Sequence, residues 1–152
     1  MVKTSSPPFA GHVKKAITDV PDAVIDTSAL IEVLTSATPD PALRRRVALC
    51  DLAAPELIDL ESVNVLRRLV RHGKLAEGEA GQVLDDIMQA PVARCPHRPL
   101  VRRIWDLRGS VGSYDAAYVA LAEQLGVPLI TCDAKLAGAN GHAARIELHP
   151  VT

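Results

Sequence analysis

Three aspartates stand where an α/β fold would bring carboxylates together. Asp26 directly follows the apolar run Ala23-Val24-Ile25, and Asp133 follows a second apolar run, Val127 to Thr131. Both runs are predicted to be buried strands, and an open parallel sheet binds its ligands outside the carboxyl ends of its strands. Asp115 lies in the first turn of a predicted helix that we expect to begin at the same edge. The sequence therefore predicts that the three carboxylates share one site.

Glu61 is a fourth candidate because of the helix face on which it lies. It comes four residues after Leu57 and four before Val65, so it shares a face with apolar side chains. A carboxylate turned inward is costly unless it is paired or binds a cation. A second acid, Glu56, needs no such explanation, since acids in the first turn of a helix suit its dipole. An internal ion pair of Glu61 with Arg68 is the simpler alternative.

Four converging carboxylates would need a compensating positive charge. Two unit charges about 4 Å apart repel by about 4 kcal/mol at an effective dielectric of about 20. Either the carboxyl pKa values rise and protons are shared, or a hard cation binds. Oxygen donors with open positions favour Mg²⁺ or Mn²⁺, and such an ion activates water for phosphodiester cleavage. Taken singly, however, Asp26 could cap the helix after its strand, Asp115 could be a first-turn acid and Asp133 a loop residue.

Helices and short apolar strands alternate along the chain, which is typical of an α/β fold with a central parallel sheet and helices on both faces. The predicted strands are 23–25, 52–54, 92–95, 127–131 and 145–148. The predicted helices are 29–34, one beginning at Asp40-Pro41, 56–72, 77–89, 100–107, 114–125 and 134–137. Two caps are expected, Thr27 or Ser28 before helix 29–34 and Ser113 before helix 114–125. The expected inner face of helix 56–72 is Leu57, Leu60, Val65, Leu66, Leu69 and Val70.

Composition excludes several classes of protein. The chain has 152 residues, 48% of them hydrophobic, and 17 basic against 18 acidic residues, so one well-filled domain is expected and disorder is not. The longest apolar run, Ala116 to Ala122, is far shorter than a membrane span. Three cysteines without a CxxC pair argue against a disulfide framework or a structural zinc site. Residues 1–22 lack periodicity and are predicted to be a flexible N-terminal extension preceding a domain at 23–152.

Four segments resemble, in order, the motifs of PIN-domain nucleases, in particular VapC-type toxins of toxin–antitoxin pairs. They are Val24 to Leu30 (VIDTSAL), Pro55 to Arg68 (PELIDLESVNVLRR), Tyr114 to Ala122 (YDAAYVALA) and Leu129 to Ala137 (LITCDAKLA). The resemblance covers about residues 23 to 149 and assigns the acidic quartet to Asp26, Glu61, Asp115 and Asp133. Residues 1–22 are an addition to the family pattern, and 96–110 is the least family-like stretch.

The resemblance implies a PIN-like fold and a Mg²⁺- or Mn²⁺-dependent endoribonuclease. It also implies a cognate antitoxin that covers the site and a homodimer. A cytoplasmic location without membrane attachment is expected from the composition, since the sequence shows no signal peptide, membrane span or disulfide framework. Thr27, Ser28 and Thr131 match positions where the family often has a hydroxyl near the metal-bound water, although capping also explains Ser28 and Thr131. Asn64, three residues after Glu61, could orient it or simply lie at the surface.

Arg102 and Arg103 are candidate RNA contacts, because arginines beside the aromatic Trp105 could hold an unpaired base. Solvated helix faces are the ordinary alternative for such a basic stretch.

Two further functions are kept as alternatives to the nuclease. Asp26 could be the phospho-acceptor of a receiver-like domain, or the chain could be a non-catalytic interaction module that seats a partner segment on apolar helix faces.

Overall fold

The first strand, β1 (Ala23–Ile25), lies at the centre of a five-stranded sheet in which every strand pair is parallel. This computed structural model describes residues 8–9 and 20–152. The remaining strands are β2 (Leu52–Pro55), β3 (Val92–Cys95), β4 (Leu129–Thr131) and β5 (Ile146–Leu148). The helices are α1 (Thr27–Thr35), α2 (Pro41–Leu49), α3 (Ile58–Arg71), α4 (Glu77–Gln89), α5 (Val101–Asp106), α6 (Ser113–Leu125) and α7 (Ala134–Ala137).

The strand order β3-β2-β1-β4-β5 places a change of direction between β1 and β4. The chain moves outward from β1 to β3 and then returns to the other side of β1. Helix α1 packs against α2, α3 and α4, whereas α6 packs against α5 and the central strands. Right-handed crossovers put these two helical groups on opposite faces of the sheet. The predicted α/β architecture is confirmed, and ligands of such sheets bind at the point where the strand order reverses.

The central strands are short and are buried on both faces of the sheet. All residues of β1, β2 and β4 are buried, which explains why they appear in the sequence as continuous apolar runs. Helix α6 crosses this sheet with seven consecutive buried residues, Ala116 to Ala122. Four of the seven are alanines, whose small side chains let the helix lie close to the strands.

Two of the predicted helix caps are wrong. Helix α1 begins at Thr27, and its cap is Asp26, whose Oδ1 accepts the Ala29 N–H at 3.0 Å. Asp26 is therefore the single residue between β1 and α1, and it caps the helix. Ser113 is the first residue of α6 rather than its cap, which is Gly112.

The predicted inner face of the helix at 56–72 is partly wrong. Helix α3 begins at Ile58, since the Glu56 N–H still donates to the Cys95 carbonyl across the sheet at 2.8 Å. Its buried residues are Ile58, Ser62 and Leu66. Leu60 is 77% exposed. It lies two positions after Ile58, which is a rotation of about 200° around the helix axis, and it therefore points away from the buried face.

Three other boundaries differ by a few residues from the sequence prediction. Strand β4 begins at Leu129 instead of Val127, because the Val127 N–H closes the end of α6 on the Ala122 carbonyl at 3.1 Å. Gly126 makes this closure possible with a φ of 67°. Strand β5 begins at residue 146, and the predicted helix 100–107 is a 3₁₀ turn, Arg98–Leu100, followed by α5.

Most of the predicted N-terminal extension lies outside the described residues. Of its described part, Phe9 is partly buried against the hydrophobic core, and Val20 is exposed. Asp22 is fixed to the entrance of β2, where its backbone N–H donates to the Asp51 carbonyl at 2.7 Å. Within residues 8–9 and 20–152, no helix is both long and apolar enough to cross a bilayer.

Candidate active site

All four predicted acids border one cavity of about 380 Å³ at the carboxyl ends of β1 and β4. Asp26 reaches it from the end of β1, Glu61 from α3, Asp115 from the first turn of α6 and Asp133 from the cap of α7. The rest of its lining is Thr27, Ser28, Ile31, Glu32, Thr35, Val65, Arg68, Leu69, Tyr118 and Val151. The structure therefore brings together acids that are up to 107 positions apart in the sequence, from Asp26 to Asp133.

Asp26 is held rigidly at the centre of this edge. Only 4% of the residue is exposed. Its Oδ1 accepts the Ser28 hydroxyl at 2.7 Å as well as the Ala29 N–H, and its Oδ2 accepts the Thr131 hydroxyl at 2.5 Å. Burial raises the pKa of Asp26 from 3.8 to about 6 despite these hydrogen bonds, and the nearby Asp115 acts in the same direction. A positive charge beside the carboxylate would relieve this penalty.

Two hydroxyls connect the ends of β1 and β4. Besides donating to Asp26, Ser28 accepts the Cys132 N–H at 2.9 Å, and Thr131 accepts the Asp133 N–H at 3.0 Å. Each hydroxyl thus bridges a carboxylate on one strand to the backbone that follows the other strand. Both are therefore positioning residues for Asp26 and for the turn that carries Asp133, which agrees with their predicted place beside the site.

Glu61 has a buried carboxylate oxygen that is not satisfied. Its Oε1 has no hydrogen-bond partner among the described residues. Burial raises the pKa of Glu61, and Asp115 and Asp26 raise it further, while the Tyr118 and Thr27 hydroxyls act in the opposite direction. No ion pair joins Glu61 to a cation of the described chain, so the alternative of an internal pair with Arg68 is not observed.

Asp115 and Asp133 complete the acidic edge from two helix starts. Burial raises the pKa of Asp115, and the charge of Asp133 raises it further. Asp133 caps α7, since its Oδ1 accepts the Lys135 N–H at 2.8 Å and the Leu136 N–H at 3.4 Å. The capping role considered for Asp26 is thus observed, and Asp133, considered as a loop residue, is also a cap; both border the cavity as well.

The donor set fits a hard divalent cation. It contains only carboxylate and hydroxyl oxygens, one buried carboxylate oxygen is unsatisfied, and the acids raise one another's pKa values. Within the described chain, no three His, Cys, Asp or Glu side chains are already drawn together closely enough to hold an ion. The four carboxylates nevertheless border one cavity, and Asp26, Asp115, Asp133 and Glu61 are the residues that would hold the ion.

Tyr118 belongs to the site although the sequence prediction did not include it. Its hydroxyl lies 2.9 Å from the Thr27 hydroxyl inside the protein, and the side chain is fully buried. Burial raises the pKa of Tyr118, so the phenol stays protonated. A signal was present in the sequence: Tyr118 lies three residues after Asp115 on the same helix, and a buried tyrosine needs a partner for its hydroxyl.

The remaining predicted residues lie away from the cavity. Asn64 is exposed on α3 and does not line it. Arg103 forms an ion pair with Glu123 at 3.0 Å, which is eight residues or about 12 Å along α6 from Asp115. Arg102 lines a separate surface depression together with Val101 and Trp105.

Comparison with known proteins identifies the family of this chain. The family model of the PIN domain matches residues 23–141, and the chain therefore belongs to the PIN domain family. Within that family it is 39% identical over 125 residues to Ribonuclease VapC12 of Mycobacterium tuberculosis, covering 82% of this chain and 97% of that protein. It is 36% identical over 129 residues to Ribonuclease VapC1 of the same organism, covering 84% and 97%.

Two solved structures resemble the fold. PAE2754 from Pyrobaculum aerophilum superposes with a TM-score of 0.59 at 26% identity, covering 82% of each chain. VapBC-5 from Mycobacterium tuberculosis, described as a member of the VapBC family of toxin–antitoxin systems, gives a TM-score of 0.55 at 25% identity, covering 86% of this chain and 100% of that one. The predicted resemblance to PIN-domain proteins of the VapC type is confirmed.

Proposed function

We propose that this protein is a metal-dependent endoribonuclease toxin that cleaves RNA phosphodiester bonds and is inhibited by a cognate antitoxin. The observation that carries the proposal is the convergence of Asp26, Glu61, Asp115 and Asp133 on one cavity at the point where the strand order reverses. Similarity to proteins named as VapC ribonucleases and to a VapBC toxin–antitoxin structure supports the same function.

Asp26, Asp115 and Asp133 would hold Mg²⁺ or Mn²⁺, with Glu61 binding directly or through water. When bound, such an ion lowers the pKa of water and stabilises the charge that develops on the phosphate. The chain's own residues hold the carboxylates of the site in position. Ser28 and Thr131 fix both oxygens of Asp26, and Glu61 brings a further carboxylate to the wall of the same cavity. Thr27 lies at the same wall, where its hydroxyl is held by Tyr118.

Cleavage of total RNA tests the proposal. Mapping of RNA 5′ ends after incubation with the wild-type protein should show new ends that require Mg²⁺ or Mn²⁺ and disappear with a chelator. Asp26→Asn should abolish them with the fold retained, whereas Asp85→Asn, an isosteric change of an exposed acid on α4, should leave them unchanged. Metal-dependent cleavage by the Asp26→Asn variant at the wild-type rate would refute the assignment.

The receiver-like alternative has less support. A phospho-acceptor must expose a carboxylate oxygen to the donor, but Asp26 is buried and both of its oxygens accept hydrogen bonds. Incubation with acetyl phosphate followed by intact mass measurement should therefore give no phosphorylated protein. A stable increase of one phosphoryl group on Asp26 would revive this alternative.

We also propose a cytoplasmic homodimer in which residues 23–152 form the catalytic domain and 1–22 an extension to it. Exposed apolar side chains on α3, Leu60 and Val63, are available for a second copy. Light scattering should give about twice the chain mass of 16.2 kDa.

Removal of residues 1–22 should preserve cleavage, with a small loss of stability because Phe9 no longer packs on the core. Arg102 and Arg103 are proposed as RNA contacts outside the cavity.

A further inference from the structure

Arg68 is the one cation among the described residues that line the cavity, where the five other charged side chains are acids. We propose that Arg68 is a substrate-positioning residue that binds the phosphate of the nucleotide next to the cleaved bond. This inference rests on the proposed ribonuclease function and adds the residue that holds the RNA backbone beside the acidic quartet. The chemical class of the ligand is a single-stranded RNA phosphodiester.

Helix geometry places Arg68 on the same face as Glu61. The two residues are seven positions apart on α3, or almost two full turns, with Val65 between them on that face. Arg67 lies about 100° further round the helix and does not line the cavity. Residues rise by about 1.5 Å each, so Arg68 stands about 10 Å along α3 from Glu61. It is therefore displaced from the acids that surround the cleaved phosphate and lies where a neighbouring nucleotide would run.

The guanidinium of Arg68 is available for a ligand. No carboxylate of the described chain lies within ion-pair distance of it, although acids border the same cavity. Glu32, the acid on α1 that shares this cavity, has its Oε1 occupied by the backbone N–H of Thr152 at 2.9 Å and by the Thr152 hydroxyl at 2.8 Å. Because Arg68 is exposed and pairs with no acid of residues 8–9 and 20–152, its forked donors can bind a phosphate.

The cavity also offers apolar surface to a nucleotide. Ile31 from α1, Val65 and Leu69 from α3, and Val151 from the C-terminal segment line it together with the acids and Arg68. Apolar side chains give a sugar or base a surface to pack on and offer no ligand to a hard cation. Packing of a nucleotide and binding of a metal ion would therefore use different side chains of the lining.

Matched arginine variants test the proposal. We would measure binding of a short fluorescein-labelled single-stranded RNA with 2′-O-methyl riboses, which resists cleavage, by anisotropy in Mg²⁺ over a range of salt concentrations. Arg68→Ala should weaken binding about tenfold, since hydrogen bonds to charged groups are among the strong ones. It should also reduce the slope of log K against log salt by about 0.7, the value for one phosphate contact to a single strand. Arg67→Ala removes the same charge from the same helix and should change neither quantity by more than about twofold.

Steady-state cleavage separates positioning from a general charge effect. Arg68→Ala should raise KM with little change in kcat, and Arg68→Lys should recover part of the affinity because it keeps the charge but loses the fork. Equal effects of Arg68→Ala and Arg67→Ala on binding would overturn the role of Arg68 while leaving the nuclease assignment intact. Absence of metal-dependent cleavage by the wild type would instead refute the proposed function, and absence of RNA binding by the wild type would refute both.

Discussion

Replacement of Asp26 by asparagine should make the metal-free protein more stable while it abolishes cleavage. The side chain is 4% exposed, and its charged form has lost most of its hydration. Asparagine has the same shape, can accept the Ser28 hydroxyl and the Ala29 N–H through its carbonyl oxygen, and carries no charge. The substitution therefore removes the cost of burying a carboxylate without opening a cavity.

The magnitude follows from the pKa of Asp26. It rises from 3.8 to about 6, or about two units, and each unit corresponds to about 1.36 kcal/mol. The charged carboxylate thus costs about 3 kcal/mol at neutral pH. The asparagine amide would face Thr131, whose hydroxyl would have to accept from it and turn its own proton toward Ser28, 3.2 Å away. Since that rearrangement costs about 1 kcal/mol, we expect a net gain of about 2 kcal/mol.

The gain should depend on pH in one direction. A carboxyl group with a raised pKa in the folded state binds its proton more tightly there than in the unfolded chain. Its contribution to stability is therefore complete below pH 3.8 and is lost as the pH rises through about 6. The gain of Asp26→Asn over the wild type should be largest at pH 7, and near pH 4 only the cost of the rearrangement should remain, which leaves the variant about 1 kcal/mol less stable.

Urea unfolding in the presence of a chelator measures this difference. The midpoint of Asp26→Asn should exceed that of the wild type at pH 7, and melting should shift upward by about 4–8 °C for a gain of about 2 kcal/mol. The exposed Asp85→Asn is the control and should match the wild type at both pH values. Mn²⁺ should then stabilise the wild type and the control but not Asp26→Asn, because a ligand stabilises only the folded state that binds it.

Two results would contradict the reasoning. Loss of stability in Asp26→Asn at pH 7 without metal would mean that the hydrogen bonds from Ser28 and Thr131 outweigh the burial penalty. A difference that does not change between pH 4 and pH 7 would mean that the ionisation of Asp26 is not its cause.

Three other substitutions probe the parts of the fold that support the site. Tyr118→Phe leaves the buried Thr27 hydroxyl without its partner, so urea unfolding should show a loss of about 1–2 kcal/mol, and cleavage should slow without a change in metal requirement. Arg94→Met removes the side chain that donates to three backbone carbonyls between α4 and β3 and should cost about 1–3 kcal/mol with intact kcat; a loss of activity at constant stability would contradict this. Leu66→Ala should lower the free energy of unfolding in urea by about 2–4 kcal/mol, because Leu66 is buried on α3 and its truncation leaves a cavity in the core.

The acidic quartet could be predicted because its positions are marked locally. Asp26 and Asp133 follow apolar strands, and a parallel sheet brings the ends of neighbouring strands to one edge whatever the details of packing. Asp115 is placed by the start of α6 in the same way. These inferences need only strand boundaries and the direction of the chain, both of which the alternation of apolar runs indicates.

The remaining side chains of the site depend on how each helix is rotated about its own axis, which the sequence does not show. Helix α3 buries Ile58, Ser62 and Leu66, and a prediction that counts only apolar residues places Leu60 inside instead. That rotation decides which side chains border the cavity, and it is set by packing against α1 and α4. Arg68 was missed for this reason, since its place on the cavity face follows only once the rotation of α3 is known.

The distribution of charge, and not its sum, explains how a chain of net charge −1 can act on RNA. The acids at the end of β1 and in the first turn of α6 have pKa values raised by burial and by one another, so the folded state is strained electrostatically at neutral pH. Neutral side chains there should give a more stable metal-free protein, and a bound cation would recover the stability that these charges cost. Arg68 does not supply that compensation internally, because it forms no ion pair with the described acids. In its proposed role the charge of Arg68 is matched to a phosphate, so a metal ion and the RNA would together neutralise the charges that line the cavity.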